Sequence, residues 1–357
     1  MKEYDPIRSQ KNISLTIYTL SHFVVDFSCF IFLWGAFAAR FDSPGKLGAG
    51  FLLYNVLAFG LQPFLGYASD IKRNFRPALW GFLFLAGGLS LSFAAWPALV
   101  LCALGNACFH VGGGEDCLRR GEGKMGGSGV FVSSGALGVA LGTYCGAMGL
   151  ISPAVAALPV LLCGFAALRF CPPCEGDGAV GDYIHLMKSG ASGGVLAGLL
   201  LFSIVIRAYG GAVVPMAWKT GVFLSFLPAV CAFLGKALGG VLADRLGARR
   251  VGTVSLLCAI PLLCFFSWNP WLCGLGLLCF NMTMPITLCA LAGLFPKFPG
   301  FAFGLTTLAL LAGSFPVFVI TLSGAAALWT VGILTGTSAV CMLYCMNNRG
   351  KRKEKLQ

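Results

Sequence analysis

The feature that most constrains this chain is a succession of apolar runs, each close to the roughly 20 residues a helix needs to cross a bilayer. Twelve can be marked, over 13–39, 47–69, 77–95, 97–117, 128–150, 152–170, 191–217, 220–243, 250–267, 270–293, 301–322 and 325–346. Two longer apolar stretches are divided at Ser152–Pro153 and Ser323–Gly324, because about 40 residues exceed a single crossing. Lipid offers the backbone no hydrogen-bond partner, so runs of this length read as helices. Charged residues make up only 11% of the chain, against roughly 25% in a soluble domain. The expectation is an all-α integral membrane protein with twelve transmembrane helices.

Where the charges fall says more than their net value of +12. Of the 25 Lys and Arg, Arg40, Lys46 and Lys219 lie on one side of the predicted membrane, and Arg207 and Lys236 lie within apolar runs. The other 20 share the opposite side with both tails. That is the positive-inside pattern with both termini cytoplasmic, and it argues against a nucleic-acid partner. The sixteen Cys are scattered through apolar runs, where Cys behaves as a small hydrophobe. Cys171-Pro-Pro-Cys174 is a lone Cys-x-x-Cys, and a structural zinc site wants four ligands. It reads as a reduced loop, with no metal or cofactor expected. The first run is not followed by a small-residue cleavage site, so it is expected to remain as a helix.

Lys236-Ala-Leu-Gly239-Gly240-Val-Leu-Ala-Asp244-Arg245-Leu-Gly247-Ala-Arg249-Arg250 ends one run and turns into the next. Subtracting 174 places Gly240, Asp244 and Arg250 on Gly66, Asp70 and Arg76, with Gln62 in place of Lys236. The first copy lacks the glycine of the turn. A parallel repeat of this kind is a transporter signature. Both copies resemble motif A of the major facilitator superfamily, Gly-x-Leu-Ala-Asp-Arg-x-Gly-x-Arg-Arg. The resemblance implies two pseudo-symmetric six-helix bundles, 1–170 and 191–346. A cytoplasmic linker, 171–190, would join them, and a basic tail, 347–357, would come after. It also implies that Gly66, Asp70, Arg76, Lys236, Gly240, Asp244, Arg245, Arg249 and Arg250 form gates that bias transport without touching the solute.

Ionisable groups inside the bilayer cost several kcal/mol, about 2.5–3.5 on the insertion scale, so each requires a role. His22 and Asp26 are four apart, on one helical face. A paired His and Asp can trade a proton near neutral pH, although they could equally tie one helix to its neighbour. Asn106 and His110 repeat the spacing in the fourth run, ahead of Gly112, Gly113 and Gly114. Glu115 and Asp116 lie four residues before Arg119 and Arg120 and read as surface ion pairs. Arg207 is deep in the seventh run and should face a carboxylate or an anionic solute; Asp26 is the candidate partner. Asn281 with Pro285, and Gln62 with Pro63, add polar groups and expected kinks. Gly135, Gly138, Gly142 and Gly146 line one face of the fifth run, as a packing or sliding surface.

A narrower likeness is to the fosmidomycin-resistance branch of bacterial exporters. It is carried by Ser21-His22-Phe23 with Asp26, by Gly105-Asn106 with Phe109-His110, and by Phe131 to Gly142. Val111, Thr143 and Leu101 depart from that pattern, which leaves export and a drug substrate insecure. The resemblances and the buried charges together imply a secondary active transporter, not an enzyme, in a bacterial inner membrane and monomeric. It would move a small organic solute, anionic or a drug, by alternating access with proton-coupled efflux, in contact with membrane lipid. Proton-coupled uptake of a metabolite is the alternative, and a transporter-like membrane sensor the reading from another class. The substrate or proton-handling residues would be His22, Asp26, Asn106, His110, Arg207 and Asn281.

Overall fold

The computed structural model describes residues 6–72, 74–174 and 183–347. Arg73, the acidic middle of the linker (Glu175, Asp177 and Asp182) and the basic tail beyond Asn347 lie outside the described residues. Fourteen α-helices are described: α1 (Pro6–Phe32), α2 (Pro44–Gly60), α3 (Gln62–Ile71), α4 (Pro77–Ser90), α5 (Ala95–Arg119), α6 (Gly126–Ala147), α7 (Pro153–Phe170), α8 (Gly193–Ala212), α9 (Gly221–Leu246), α10 (Ala248–Cys264), α11 (Pro270–Asn281), α12 (Thr283–Leu294), α13 (Pro299–Ser314) and α14 (Gly324–Cys345). Each apolar run holds one helix, except two that hold a broken pair.

The breaks fall at the prolines. Pro63 lacks an N–H for the Phe59 carbonyl, which accepts instead from the Thr307 hydroxyl at 3.5 Å; α2 gives way to α3 at Leu61. Pro285 does the same to the Asn281 carbonyl, and α11 gives way to α12 at Met282. Helix starts obey local chemistry as well. The Ser152 hydroxyl accepts from Val155 N at 3.4 Å with Pro153 at the first position. The Asn269 side chain accepts from Trp271 N and Leu272 N at 3.0 and 3.1 Å. Gly247, the turn glycine of the second motif, has a φ of +95° before α10, a conformation that costs glycine nothing.

Among the described residues, ten helical stretches are long and apolar enough to cross a membrane. The other two predicted crossings are shorter. At 1.5 Å per residue, α4 with 14 residues spans about 21 Å and α10 with 17 about 26 Å, against a core of about 30 Å. α4 stops at Ser90 and turns at once into α5, on which it lies by glycine contacts. A Cβ on Gly81 would meet Phe109 N at 2.5 Å and one on Gly105 would meet Leu85 N at 2.6 Å. α10 starts only after the motif turn, with Arg249 and Arg250 in its first residues. Along α7 the large apolar side chains Leu158, Leu161, Leu162, Phe165 and Leu168 point outward and are exposed, as a lipid-facing surface requires.

The chain falls into two compact units. One comprises Met1–Arg120, Phe131–Ala179 and Lys297–Leu311; the other comprises Gly121–Val130, Val180–Pro296 and Ala312–Gln357. Most of α6 and α13 therefore belongs to the first unit, while the first turn of α6 belongs to the second. In the first unit, a Cβ on Gly135, Gly138 or Gly142 would collide with α1, at His22 and Asp26, Phe23 O and Phe27 O respectively, and one on Gly146 would stand 2.8 Å from Ile31 O. The glycine face of α6 is thus pressed on the backbone of α1. In the second unit the end of the linker is docked. Tyr183 is buried and its hydroxyl donates to Lys124 O at 3.1 Å, and Lys188 N donates to Cys345 O at 2.9 Å.

Candidate functional site

In the first unit, α1, α5 and α6 bring three ionisable side chains together. The (i, i+4) spacing puts His22 and Asp26 on one face of α1, with His22 Nε2 3.3 Å from Asp26 Oδ2. His110, on α5, lies with Nε2 3.6 Å from Asp26 Oδ1 and 2.9 Å from His22 Nε2. Asn106 Nδ2 donates to Asp26 Oδ1 at 3.1 Å. All four residues are buried. Gly135 of α6 lies against the group, where any Cβ would strike the Asp26 carboxylate and the His22 ring.

The partners decide where the hydrogens are. His22 Nδ1 is 2.7 Å from Phe131 O, and His110 Nδ1 is 2.9 Å from Asn106 O. A carbonyl only accepts, so each Nδ1 carries its hydrogen and each Nε2 presents a lone pair. Two lone pairs 2.9 Å apart repel unless a hydrogen lies between them. The space between the two Nε2 atoms, with the Asp26 carboxylate beside both, therefore suits a cation.

Arg207, on α8 in the second unit, is buried among hydroxyls. Nη1 donates to Thr283 Oγ1, Nη2 to Thr287 Oγ1 at 3.0 Å, and Nε to Ser203 O at 3.3 Å. The Ser203 hydroxyl in turn lies 2.7 Å from that of Ser338. Within its own unit the guanidinium rests on neutral acceptors, two threonine hydroxyls and a carbonyl. Thr283 and Thr287 escaped sequence reading, although their spacing of four put them on one face. Asn281 turns its amide back to Leu277 O at 2.8 Å, within its own helix.

The two motif copies share one construction. The Asp70 carboxylate accepts from Gly300 N at 3.0 Å and Phe301 N at 2.8 Å, in the first turn of α13. The Asp244 carboxylate accepts from Met125 N at 2.8 Å and Gly126 N at 2.9 Å, at the start of α6. Each caps a helix N-terminus, where exposed N–H groups favour an anion. Gly126 and Gly300 are themselves 174 residues apart, so the repeat extends to the acceptor helices. Gly66 and Gly240 lie under the capped turns: a Cβ on Gly66 would meet Phe301 N at 2.7 Å, and one on Gly240 would meet Met125 O at 2.5 Å.

The arginine on Asp70 is Arg119, at 3.1 Å, which also holds Glu115 at 2.7 Å. Arg76, the motif arginine, instead donates to Cys171 O at 2.6 Å. Asp116 and Arg120 pair at 2.8 Å. Lys236 is half-buried two turns before Asp244, Arg249 is half-buried, and Arg245 and Arg250 are exposed. In the Cys171-Pro-Pro-Cys174 loop, burial pushes the thiols up to about 11 and about 12, away from the thiolate that metal or redox work needs.

No protein-family model and no curated protein matches the sequence. Solved structures do. The human organic anion transporter MFSD10 (TETRAN) is 17% identical with a TM-score of 0.66, over 95% of this chain and 99% of that one. A major facilitator superfamily transporter, FucP, in the outward conformation, is 14% identical with a TM-score of 0.66, over 93% and 98%. A variant of the E. coli fucose:proton symporter FucP is 14% identical with a TM-score of 0.62, over 93% and 97%. The chain therefore has the major facilitator fold along nearly its whole length. With ten helices of crossing length, it is an integral, multi-pass membrane protein.

Proposed function

We propose that this protein is a proton-coupled secondary transporter that moves a small organic anion by alternating access. The observation that carries the reading is the buried His22–Asp26–His110 group, whose two imidazole Nε2 atoms lie 2.9 Å apart beside a carboxylate. The fold supports transport over enzymatic work. The likeness to a fucose:proton symporter supports a proton as the coupling ion, and that to an organic anion transporter supports an anionic solute. Arg207, held by hydroxyls and a carbonyl, is the residue on which the anion docks. Asn106 orients Asp26; Asn281 belongs to the helix break.

In this reading α4 and α10 cross the membrane with the other ten, the bundles are 1–170 and 191–346 with the linker between them, and both termini are cytoplasmic in a bacterial inner membrane. The clasps at Asp70 and Asp244 are gates that form in one state and open in the other. The likeness of the first and fourth apolar runs to fosmidomycin-resistance exporters favours efflux by antiport, while the symporter likeness favours uptake. Everted and right-side-out vesicles carrying a pH-sensitive dye separate the two. Solutes come from a thermal-shift screen of organic anions, since a ligand of the folded state raises its melting temperature. A hit that moves protons in neither vesicle type, and moves equally in Asp26→Asn, refutes the coupling.

A further inference from the structure

We infer that His22, His110 and Asp26 bind a transition-metal dication of the Zn2+ type. This depends on the proposed transport function only in that the group holds an exchangeable cation; its own basis is donor geometry. The two imidazole Nε2 atoms are 2.9 Å apart, and the Asp26 carboxylate offers Oδ2 at 3.3 Å from His22 and Oδ1 at 3.6 Å from His110. Ligands about 2.0–2.1 Å from a tetrahedral Zn2+ stand about 3.3–3.4 Å from one another. Adjustment of the rings and a turn of the carboxylate bring one atom of each residue into that range. The three ligand atoms lie within 4.8 Å of one another and all three residues are buried.

The surroundings of the donors also fit a metal. Ligating histidines almost always donate their second ring N–H to a carbonyl or carboxylate, which fixes the tautomer and aims the lone pair at the ion. Both histidines do so here, to Phe131 O and Asn106 O, and Asp26 is held by Asn106. Three protein ligands leave a fourth position open, as in zinc sites that take up water or a solute group. The absence of a side chain on Gly135, where any Cβ would collide with Asp26 and His22, keeps α6 from filling that space. Two imidazoles and one carboxylate select against Mg2+ and Ca2+, which take oxygen ligands. An ion held there would pin α1 to α5.

The test uses the full-length protein in detergent with any affinity tag removed. Zn2+ binding is measured by equilibrium dialysis, and Co2+ serves as a spectroscopic probe because a tetrahedral site gives it an intense visible band. The expected result is one ion per chain and that band. Both are lost, with affinity falling at least about 100-fold, in His110→Ala and in His22→Ala, and both are retained in a Cys171→Ser/Cys174→Ser variant. Gly135→Ala, which keeps all three ligating residues but pushes on Asp26 and His22, should weaken binding about tenfold, the scale of losses outside the ligand set. Stoichiometric binding that survives His110→Ala, or that disappears with the two cysteines, overturns the assignment. No binding, with pH-driven solute flux intact, overturns the metal site and leaves the coupling standing. Metal binding alongside flux that is indifferent to Asp26→Asn does the reverse.

Discussion

The clasp at Asp70 supports a worked prediction. In Gly66→Ala the new Cβ would lie 2.7 Å from Phe301 N and closer still to the Gly300 carbonyl. Every colliding atom is backbone, so no side-chain rotation relieves the contact. α3 and the first turn of α13 must separate by about 1.3 Å to take the nearest contact, at Gly300 O, to an ordinary 3.4 Å, and the hydrogen bonds of 3.0 and 2.8 Å from Gly300 N and Phe301 N to Asp70 are drawn beyond useful length. Hydrogen bonds to a charged group contribute about 1.5–3 kcal/mol each. These values are already net of exchange with water, so two lost bonds cost about 3 kcal/mol at the lower end. At 1.4 kcal/mol per factor of ten, the clasp opens about 100-fold more often. Native-state hydrogen exchange read on a peptide covering 296–305 measures this directly: the Gly300 and Phe301 amides should exchange about 100-fold faster, and Asp70→Asn should give a similar gain without the collision. Unchanged protection in Gly66→Ala would refute the view that glycine is what permits the carboxylate to cap α13.

Three other outcomes are expected. Asp26→Asn should abolish flux driven by a pH gradient while solute counterflow keeps at least a tenth of its rate; pH-driven flux and counterflow falling together would point to a structural role. Arg207→Ala should weaken binding of an anionic solute about 30- to 150-fold, as loss of a desolvated charge contact of about 2–3 kcal/mol does, and should change a neutral analogue's binding less than threefold, both measured by tryptophan quenching. The thiol of Cys174, which burial pushes up to about 12, holds about a thousandth of the thiolate of an ordinary cysteine at pH 8. Peptide-level mass spectrometry should find it alkylated by maleimide correspondingly slowly, and labelling at the ordinary rate would mean that the loop leaves this thiol open to solvent.

Much of this was legible in the chain because lipid narrows the choices. The apolar runs placed the helices, and Ser152–Pro153 and Ser323–Gly324 marked two junctions, since N-cap, proline and glycine chemistry is local. The kinks at Pro63 and Pro285 came from missing N–H groups. The spacing of four joined His22 to Asp26 and Asn106 to His110, but only packing could set the second pair beside the first. For Arg207 the charge argument alone suggested a carboxylate, and the threonines on α12 that receive it lie about 80 residues on, where no periodicity links them. α4 and α10 came out short because apolar composition does not say where a helix yields to a turn.

The first unit keeps the buried acid and imidazoles, whereas the second keeps the guanidinium and its hydroxyls. No polar bond described for one group is shared with the other. If the proposed roles are right, substitutions at Ser203, Thr283, Thr287 or Ser338 would retune which solute is accepted and leave the proton-handling group untouched. A lineage built in that way would change its diet by point mutation without first losing its engine.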